Sequence, residues 1–590
     1  MKIRVADYIV KFLENKSISH AFMVTGGGAM FLNDGIAKSK KIKGIFNHHE
    51  QASAMAALGY SKVDNEIAVV IPTTGCGGTN TITGLLDAWQ DSNKVVFISG
   101  NVKYKETTHE LDLPLRKLGV QEADIVSIVK PITKFAKMVN NPLEIRKVLE
   151  EAFYECENGR PGPVWIDVPM DIQAAIIEEK ELTGFEKASR KIEKVNFSIV
   201  ENYLKKSKRP LILAGYGIHL SNTRNKFIEF LEKTNIPSVF TYGGTDLVPY
   251  DNKLHIGKIG IKGDRPGNFA LQNADLIIVL GSSLSIPVIG YEYELFGRDS
   301  KIICIDIDEF EHKKKTIKPD EIINCHLDDF FENEFKFYGD EQWIIKCNNW
   351  KLKWPVFQKN YSDTSEGINM YLMLEKINEN SSENSIIVSD AGSSLYVTSQ
   401  AIKIKKGQKH IASLAQADMG FTLPCSIGAS IKKPESNIIG ITGDGSFQMN
   451  IQELQTIVSY NLNIKTFVLN NGGYLSIRNT IDKFFEGRHL GTDRNTGLDF
   501  PDLEKLSIAY GIKFYRLKTL DDINILLNEI LHQTGPVLIE VICPFKQEII
   551  PTLSSKEDEN GILVSQPLDN MYPFLEEKEY LKEMINKPFK

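Results

Sequence analysis

Short apolar runs alternate with helix-like segments along the whole chain and fall into three blocks. Continuous apolar runs of this kind predict buried parallel strands, and their alternation with helices predicts α/β domains. The runs lie at residues 67–71, 95–98 and 164–168 in the first block, 210–214, 276–280 and 301–307 in the second, and 386–389, 437–442 and 465–469 in the third. The pattern therefore predicts an α/β protein with three doubly wound parallel-sheet domains.

The third block contains a β-α-β pattern between residues 437 and 471. Between its two strands, apolar residues recur at helical spacing, namely Met449, Ile451, Leu454, Ile457 and Val458. Parallel strands of such a unit place their carboxyl ends side by side, at the edge where open α/β sheets bind ligands. Asp444 and Asn471, which follow the two strands, are therefore expected to lie together.

Asp444 and Asn471 carry the oxygen atoms that a magnesium ion prefers. A carboxylate and an amide oxygen cannot hold a diphosphate directly, but Mg²⁺ keeps open positions for phosphate oxygens. Ser446 and the backbone amides after Gly445 open the next helix, where an anion is stabilised. The stretch from Gly443 to Asn471 therefore predicts a magnesium-dependent diphosphate site.

Composition narrows the class of protein. A length of 590 residues predicts roughly three domains. The formal net charge of -7 argues against a nucleic-acid partner, because phosphate contacts need a basic face. No apolar run reaches the roughly 18 residues that span a bilayer, and the N-terminal stretch, with Asp7 and Glu14 inside its apolar pattern, predicts a helix rather than a signal peptide. The cysteines are scattered without a C-x-x-C pair, which argues against disulfides and zinc and predicts a cytoplasmic location.

The expected domains cover residues 1–177, 195–335 and 365–550, followed by a tail at 551–590. The first linker is a charged stretch at 178–194. The second boundary lies between residues 332 and 365, where tryptophan, lysine and asparagine interrupt any clear period. The tail contains proline, lysine and glutamate and is expected to lie over the surface or the entrance of a site.

Five segments, in order along the chain, resemble the acetolactate synthase family of thiamine diphosphate (ThDP) enzymes. The segments are HEQASAMAALGY at 49–60, TTGCGGTNTITG at 73–84, RPGPVWIDVP at 160–169, ADMGFTLPCSIGA at 417–429 and the GDGS run at 443–446 with its following asparagine pair. The resemblance extends from about residue 3 to residue 545. It implies pyrimidine-binding, central and diphosphate-binding domains, with ThDP and Mg²⁺ as cofactors.

Within this resemblance, Glu50 is the first candidate catalytic residue. The family needs a carboxyl group beside the aminopyrimidine N1′, where it favours the imino tautomer that removes the thiazolium C2 proton. The residues alone allow a second interpretation, because Asn47-x-x-Glu50 has the spacing of a capping box at the start of a helix.

Gly28 and Gln121 are the other two candidate catalytic residues. Gly26, Gly27 and Gly28 follow a strand-like run, and a triple glycine lets the backbone approach a flat ligand closely. In the family the third position points at the reacting carbon. A plain strand-to-helix turn is the alternative. Gln121 matches a family glutamine at the reacting end of the cofactor, and a surface glutamine at the start of a helix is its alternative.

The other half of the site is expected around the diphosphate. The resemblance implies that Met419 supports the bent shape of the cofactor, although an apolar residue before Gly420 could equally be core. It also implies that Asp444, Asn471 and Gly473 bind Mg²⁺. The cofactor-binding residues expected in this half are Gly392, Ser393, Ser394, Met419, Gly443, Asp444, Gly445, Ser446, Asn471, Gly473 and Tyr474. The serines after Gly392 depart from the family, which commonly has glutamine and histidine there.

The central domain departs from the family in two places, so FAD is doubtful. Gly215-Tyr216-Gly217 follows a strand, but Leu220 replaces the third glycine of a nucleotide loop. Ser283 and Pro287 replace the two arginines of the family's FAD segment. The resemblance implies that the first of these arginines, at the position of Ser283, also anchors the carboxylate of the acceptor. A family tryptophan of the acceptor pocket aligns with Thr480.

The expected activity is decarboxylation of a 2-oxo acid, with pyruvate as the first candidate, and transfer of the acyl carbanion to an acceptor. The missing arginine and tryptophan favour an aldehyde or ketone without a carboxylate, with a nucleotide-linked keto sugar as one candidate. True acetolactate synthesis and a noncatalytic structural or regulatory relative are the alternatives. A Rossmann oxidoreductase is disfavoured because a full G-x-G-x-x-G is missing. The resemblance implies a homodimer or homotetramer with shared active sites.

Overall fold

Three parallel sheets, each with six strands, build the protein in a computed structural model that describes residues 2–111, 113–187, 195–557 and 561–589. The predicted fold class is confirmed. Two short antiparallel ladders complete the strands. The boundaries between the domains stay predictions, and residues 188–194 of the predicted first linker lie outside the described residues.

The N-terminal sheet has the strand order β3-β2-β4-β5-β7-β6, and β1 pairs with β8 beside it. The strands are β1 Lys2–Arg4, β2 His20–Met23, β3 Lys43–Phe46, β4 Ala68–Ile71, β5 Val95–Asn101, β6 Phe135–Met138, β7 Val164–Pro169 and β8 Ile176–Glu178. The helices are α1 Val5–Asn15, α2 Met30–Lys38, α3 Glu50–Asp64, α4 Cys76–Asn80, α5 Ile82–Gln90, α6 Thr108–Leu111, α7 Ile125–Val129, α8 Ile145–Glu157 and α9 Met170–Ala174.

The central sheet has the order β11-β10-β9-β12-β13-β14, so the direction of winding reverses between β9 and β12. Its strands are β9 Pro210–Ala214, β10 Ser238–Phe240, β11 His255–Lys258, β12 Leu276–Leu280, β13 Lys301–Asp306 and β14 Glu321–Asn324. The helices are α10 Ser198–Lys206, α11 Gly217–Leu220, α12 Arg224–Thr234, α13 Arg265–Asn273, α14 Ile286–Ile289, α15 Leu327–Phe331 and α16 Glu341–Lys353.

The C-terminal sheet has the order β16-β15-β17-β18-β20-β19. Its strands are β15 Ile386–Ser389, β16 Lys409–Ile411, β17 Ile438–Gly443, β18 Ile464–Asn470, β19 Lys513–Leu517 and β20 Val537–Ile542. The helices are α17 Met370–Asn380, α18 Gly392–Ala401, α19 Thr422–Lys432, α20 Asp444–Met449, α21 Glu453–Ser459, α22 Leu475–Phe484, α23 Leu503–Tyr510 and α24 Leu520–His532. The tail adds the hairpin β21 Ser555–Glu557 and β22 Leu563–Ser565, and helix α25 Glu577–Glu583.

Two expectations about regular structure are corrected. The single helix expected between β17 and β18 is two helices, because the side chain of Asn450 donates to the carbonyl of Gly420 at 2.9 Å and the chain leaves helical geometry there. Met449 is 48% exposed and is not a core residue. The stretch 332–365 is not irregular throughout, since α16 packs Trp343 and Trp350 into the core of the central domain.

The N-terminal and C-terminal domains share one core through helices α3 and α19. Buried residues of both helices belong to a single hydrophobic cluster. A Cβ at Gly59 would overlap the carbonyl oxygen of Cys425, and a Cβ at Gly428 would overlap that of Ala56. The two glycines therefore let the helix backbones touch, and no larger residue fits at either position.

Lys62 holds this junction together electrostatically. It lies on α3 with its side chain 3% exposed, and its ammonium reaches Asp91 at 2.6 Å and Asp87 at 3.5 Å. It also donates to the carbonyl of Ala412 at 2.7 Å. Burial lowers the pKa of Lys62, but the two carboxylates outweigh this effect and raise the pKa above its ordinary value. The ion pair thus connects α5, α3 and the segment after β16.

No helix in the described parts of the chain combines the length and apolar character needed to cross a bilayer.

We predict that Lys62→Met destabilises the protein by about 3–5 kcal/mol, because it leaves two carboxylates buried without a cation. Lys11→Met is the matched control, since its exposed pair with Glu179 at 2.7 Å contributes below about 1 kcal/mol. Denaturant unfolding of both variants measures the difference. Equal midpoints for the two variants would contradict the role assigned to Lys62.

Candidate active site

Asp444 and Asn471 lie side by side at the carboxyl edge of the C-terminal sheet, as the parallel pairing predicts. Strands β17 and β18 pair in register, with Gly443 opposite Leu469. One oxygen of Asp444 accepts the amides of Asn471 at 3.2 Å and Gly473 at 2.9 Å, and the other accepts the amide of Gly445 at 2.8 Å. Burial raises the pKa of Asp444 to about 6, although these amides oppose the rise. A nearby cation would favour the charged form of this buried carboxylate.

Glycine is required at two positions of this loop. Gly473 has φ +142°, and a Cβ there would overlap the carbonyl oxygen of Thr492. A Cβ at Gly445 would overlap the ring of Tyr474. The glycines thus let the loop fold back so that Tyr474 lies directly over the start of α20.

The oxygen atoms in this loop fit a magnesium ion. The carboxylate of Asp444, the side-chain oxygen of Asn471 and the backbone carbonyl of Gly473 are hard ligands. Among the described residues, no group of three or more histidine, cysteine, aspartate or glutamate side chains could hold a metal. A metal at Asp444 would therefore need further ligands from water and from a bound phosphate.

Arg478 is a buried residue of the site that sequence reasoning missed. Its guanidinium donates to the side-chain oxygen of Asn471 at 3.0 Å and to the backbone carbonyl of Asn471 at 3.1 Å. It also donates to the carbonyl of Phe545 at 2.8 Å. An amide oxygen has two lone pairs, so Asn471 can accept from Arg478 and still offer an oxygen to a metal. Arg478 thus fixes the rotamer of Asn471.

Asp390 is a second missed residue, and it joins three loops of the site. One of its oxygens accepts the amides of Ala391 at 2.9 Å and Gly420 at 3.1 Å. The other accepts the amide of Thr422 at 3.1 Å and the hydroxyl of Thr442 at 3.0 Å. The carboxylate therefore binds the ends of β15 and β17 to the start of α19. The only sequence signal was its position directly after a buried strand.

The predicted residues after Asp390 lie at the same edge but differ in what they contact. The hydroxyl of Ser393 hydrogen-bonds that of Ser476 at 2.9 Å, and Gly392 has φ +58°. Ser394 is buried and its hydroxyl donates to the carbonyl of Ala391 at 2.8 Å, so it bonds within its own helix start. Ser393 is thus better placed than Ser394 to contact a ligand.

Met419 lies in the turn before α19 and is half-buried. It belongs to none of the hydrophobic clusters of the described residues. Its neighbour Gly420 has φ +82° and is fixed by Asp390. The core interpretation of Met419 is therefore not supported, and its role in holding a cofactor stays a prediction.

Glu50 begins helix α3, but it does not form a capping box. The cap residue is His49, whose Nδ1 accepts the amide of Gln51 at 3.1 Å. The side chain of Asn47 instead donates to Glu453 at 2.9 Å. The carboxylate of Glu50 accepts from Asn80 at 3.0 Å and is half-buried. The capping-box alternative is wrong, and Glu50 keeps acceptor capacity for a ligand.

The loop at residues 73–77 brings the three candidate catalytic residues of the N-terminal domain together. Thr73 accepts the amide of Gly28 at 3.1 Å, and the hydroxyl of Thr74 donates to the carbonyl of Gln121 at 3.3 Å. A Cβ on Gly77 would lie 3.6 Å from a carboxylate oxygen of Glu50. Glu50, Gly28 and Gln121 therefore surround one loop.

The backbone conformation bears on the alternative interpretations of the glycine run at residues 26–28 and of Gln121. Gly26 and Gly28 allow a close approach to Thr73 and Thr74, since a Cβ would come within 2.6 Å and 2.8 Å of them. The run forms a strand-to-helix turn, and Gly27 is exposed. Gln121 is exposed with φ +60° and lies in a turn, not at the start of a helix.

The central domain holds a cavity of about 280 Å³ at the point where its sheet reverses direction. Gly215 and Gly217 pack against Gly281, which gives the G-x-G sequence a structural use without a nucleotide. Arg160 beside the cavity is paired with Glu311 at 2.5 Å and Asp308 at 3.1 Å. The cation nearest to this crevice is thus neutralised by carboxylates, which does not fit the diphosphate of FAD.

Comparison with known proteins agrees with this geometry. The chain matches the thiamine pyrophosphate enzyme family in three parts: the N-terminal TPP binding domain over residues 3–128, the central domain over 199–332 and the C-terminal TPP binding domain over 390–541.

Curated relatives extend the match over most of the chain. Acetolactate synthase 1, chloroplastic, of Nicotiana tabacum is 30% identical over 575 residues, which cover 93% of this chain and 83% of the relative. The acetolactate synthase large subunit of Lactococcus lactis is 30% identical over 563 residues, covering 93% and 94%. That of Cyanidium caldarium is 30% identical over 582 residues, covering 94% and 96%. The chain belongs to the thiamine pyrophosphate enzyme family and is similar to acetolactate synthases.

Proposed function

We propose that the protein binds ThDP and Mg²⁺, decarboxylates a 2-oxo acid such as pyruvate and joins the acyl carbanion to an aldehyde or ketone. The observation that carries this proposal is the position of Asp444, Asn471 and Gly473 at one strand edge. With it goes the half-buried carboxylate of Glu50 on α3, which accepts from Asn80 and keeps acceptor capacity for a ligand. When bound, ThDP supplies a stabilised carbanion after loss of CO₂.

The residues of the chain have separate roles in this proposal. Asp444, Asn471 and the carbonyl of Gly473 hold Mg²⁺, which takes its other ligands from the diphosphate and water. Ser446, at the start of α20, and Ser393 bind diphosphate oxygens. Glu50 holds a proton at N1′ of the aminopyrimidine. Gln121 and Gly28 lie near the reacting carbon in this proposal. The expectation that Gly28 leaves open space is corrected, because Thr74 fills the place that a side chain there would take.

Acetolactate synthesis is the second candidate, favoured by the named activity of the relatives. Against it stand Ser283, Pro287 and Thr480, which replace the arginines and the tryptophan expected in an acetolactate synthase. A noncatalytic relative is disfavoured, because Glu50 and the magnesium ligands are all present.

The separation of the Glu50 group from the Asp444 loop favours active sites that are shared between subunits of a homodimer or homotetramer. Among the described residues, no hydrogen bond joins Glu50 to the Asp444 loop. Large apolar side chains are exposed on both halves, namely Met30, Phe46, Met449, Ile477 and Phe484. We infer that the Glu50 side of one subunit faces the Asp444 side of another.

Two substitutions test the cofactor roles. Asp444→Ala should abolish metal-dependent ThDP binding, because no other carboxylate of the loop replaces it. Glu50→Gln should leave ThDP binding largely intact and lower CO₂ release from pyruvate by about a hundredfold or more, because the proton at N1′ is no longer held. Calorimetry measures ThDP binding, NMR measures exchange of the C2 proton, and mass spectrometry identifies the products. Unchanged C2 exchange in Glu50→Gln would contradict the role of Glu50.

Mixing these two inactive variants tests the shared site. If each site takes Glu50 from one subunit and Asp444 from the other, co-expressed chains should regain about a quarter of wild-type activity, because half of the dimers are hybrids with one intact site. Sites formed within one chain would give no recovery. A chain that sediments as a fully active monomer would also refute the proposal.

We predict that protein purified without added flavin shows no FAD absorbance. The cavity offers Ser283 and Pro287 where arginines would bind a diphosphate, and the lost charge-assisted bonds weaken binding by about a hundredfold or more. Absorbance near the flavin bands measures the outcome. A yellow preparation with one FAD per chain would overturn this prediction.

A further inference from the structure

Two further lysines lie where the segment 549–554 crosses between the central and C-terminal domains, the region that we call the mouth of the proposed active site. Lys262 follows β11 in the central domain, and Lys483 lies near the end of α22 in the C-terminal domain. Both ammonium groups bind the segment 549–554, which crosses between the two domains. Lys262 donates to the carbonyl of Ile549 at 3.1 Å, and Lys483 donates to the hydroxyl of Ser554 at 2.9 Å.

Lys262 lies beside Pro287, which is one of the two positions where a family arginine is replaced. The loop that carries it is bound to Pro287, because the amide of Ile261 donates to the carbonyl of Pro287 at 2.9 Å. The other side of Ile261 accepts the amide of Leu553 at 2.8 Å. The loop is therefore held between the central domain and the tail, and it places a lysine next to this altered position.

Lys483 lies beside the second altered position. It follows Thr480 by one turn of α22, and residues three apart share a helix face. One turn before Thr480, the hydroxyl of Ser476 contacts Ser393 at 2.9 Å. The helix thus leads from the proposed diphosphate site, past the exposed Thr480, to the ammonium of Lys483.

The ring of Tyr396 places Lys262 close to helix α18, which also carries Ser393. Lys262 lies 5.7 Å above the centre of this ring, which belongs to α18 one turn after Ser393. Both lysines therefore lie next to the segment 549–554 and close to helices α18 and α22.

Neither ammonium is paired with a carboxylate within residues 2–111, 113–187, 195–557 and 561–589. Other cations of the chain are paired, such as Arg160 with Glu311 and Arg298 with Asp569. Burial and the charge of Lys483 lower the pKa of Lys262 to about 8. An anion between the two lysines would relieve this repulsion.

We propose that Lys262 and Lys483 bind the phosphate of an acceptor that is a phosphorylated or diphosphate-linked aldehyde or ketone. This inference rests on the proposed carboligation. Arginine is the planar clamp for a carboxylate, whereas two lysines act as point charges that suit the several charges of a phosphate. The acceptor then enters with its carbonyl toward the reacting carbon of the cofactor and its phosphate at Lys262 and Lys483.

Binding to the ThDP- and Mg²⁺-saturated protein tests the site independently of turnover. Calorimetry compares D-glyceraldehyde 3-phosphate, uridine diphosphate, neutral D-glyceraldehyde and glyoxylate. At least one phosphate compound should bind more tightly than D-glyceraldehyde, and tighter binding of uridine diphosphate would assign the diphosphate class. Lys262→Met and Lys483→Met should each weaken phosphate binding by about tenfold. The arginine variants at both positions should retain most of it.

Turnover supplies the second readout and the control. The ratio of kcat/KM for D-glyceraldehyde 3-phosphate over D-glyceraldehyde should fall in both methionine variants through KM, whereas general damage would lower both values together. The control is Lys518→Met, which alters an exposed lysine on the C-terminal domain that also carries Lys483. It should leave the ratio unchanged. Unchanged phosphate binding in the methionine variants, or tightest binding of glyoxylate, would overturn the proposal. Absent CO₂ release from pyruvate alone would instead refute the proposed carboligation.

Discussion

The contact between helices α3 and α19 is the constraint on which the rest of the site depends. Gly59 and Gly428 each face a backbone carbonyl of the other helix at a distance that excludes a methyl group. Glu50 is the first residue of α3, and the Met419 turn leads directly into α19. The closeness of the two backbones therefore sets where each half of the site points. Lys62 adds a buried charge to the same junction, so apolar packing and ion pairing act on one pair of helices.

The sequence predicts those parts of the fold that local periodicity and parallel topology control. Buried strands appear as apolar runs, and the pairing of β17 with β18 follows from the β-α-β pattern. The helix break at Asn450 could not be found in this way, because it depends on a hydrogen bond to Gly420, thirty positions away. Asp390 and Arg478 escaped for the same reason, since their partners become neighbours only in the folded chain. Glu50 shows the reverse case, in which a correct local spacing suggested a cap that the fold assigns to His49.

Cationic side chains around the central domain occupy two different electrostatic environments. In the central crevice, Arg160 forms ion pairs with Asp308 and Glu311, so its charge is neutralised within the protein. Lys262 and Lys483 instead donate to a carbonyl and a hydroxyl and lie over aromatic rings, and among the described residues neither pairs with a carboxylate. The first arrangement stabilises the contact between two domains. The second leaves electrostatic potential for a ligand, with the flexible geometry of lysine instead of the fixed fork of arginine.

The separate cores of the central domain have an evolutionary consequence. The N-terminal and C-terminal domains share buried residues in one cluster, whereas the two clusters of the central domain have no member in that cluster. If the proposed acceptor site is correct, substitutions in the loops after β11 and β12 would change acceptor recognition without disturbing the packing that aligns the cofactor residues. Selection can alter the substrate while the chemistry is preserved. The 30% identity to acetolactate synthases is then consistent with a preserved cofactor site, because the proposed acceptor site lies in a domain whose core is separate from it.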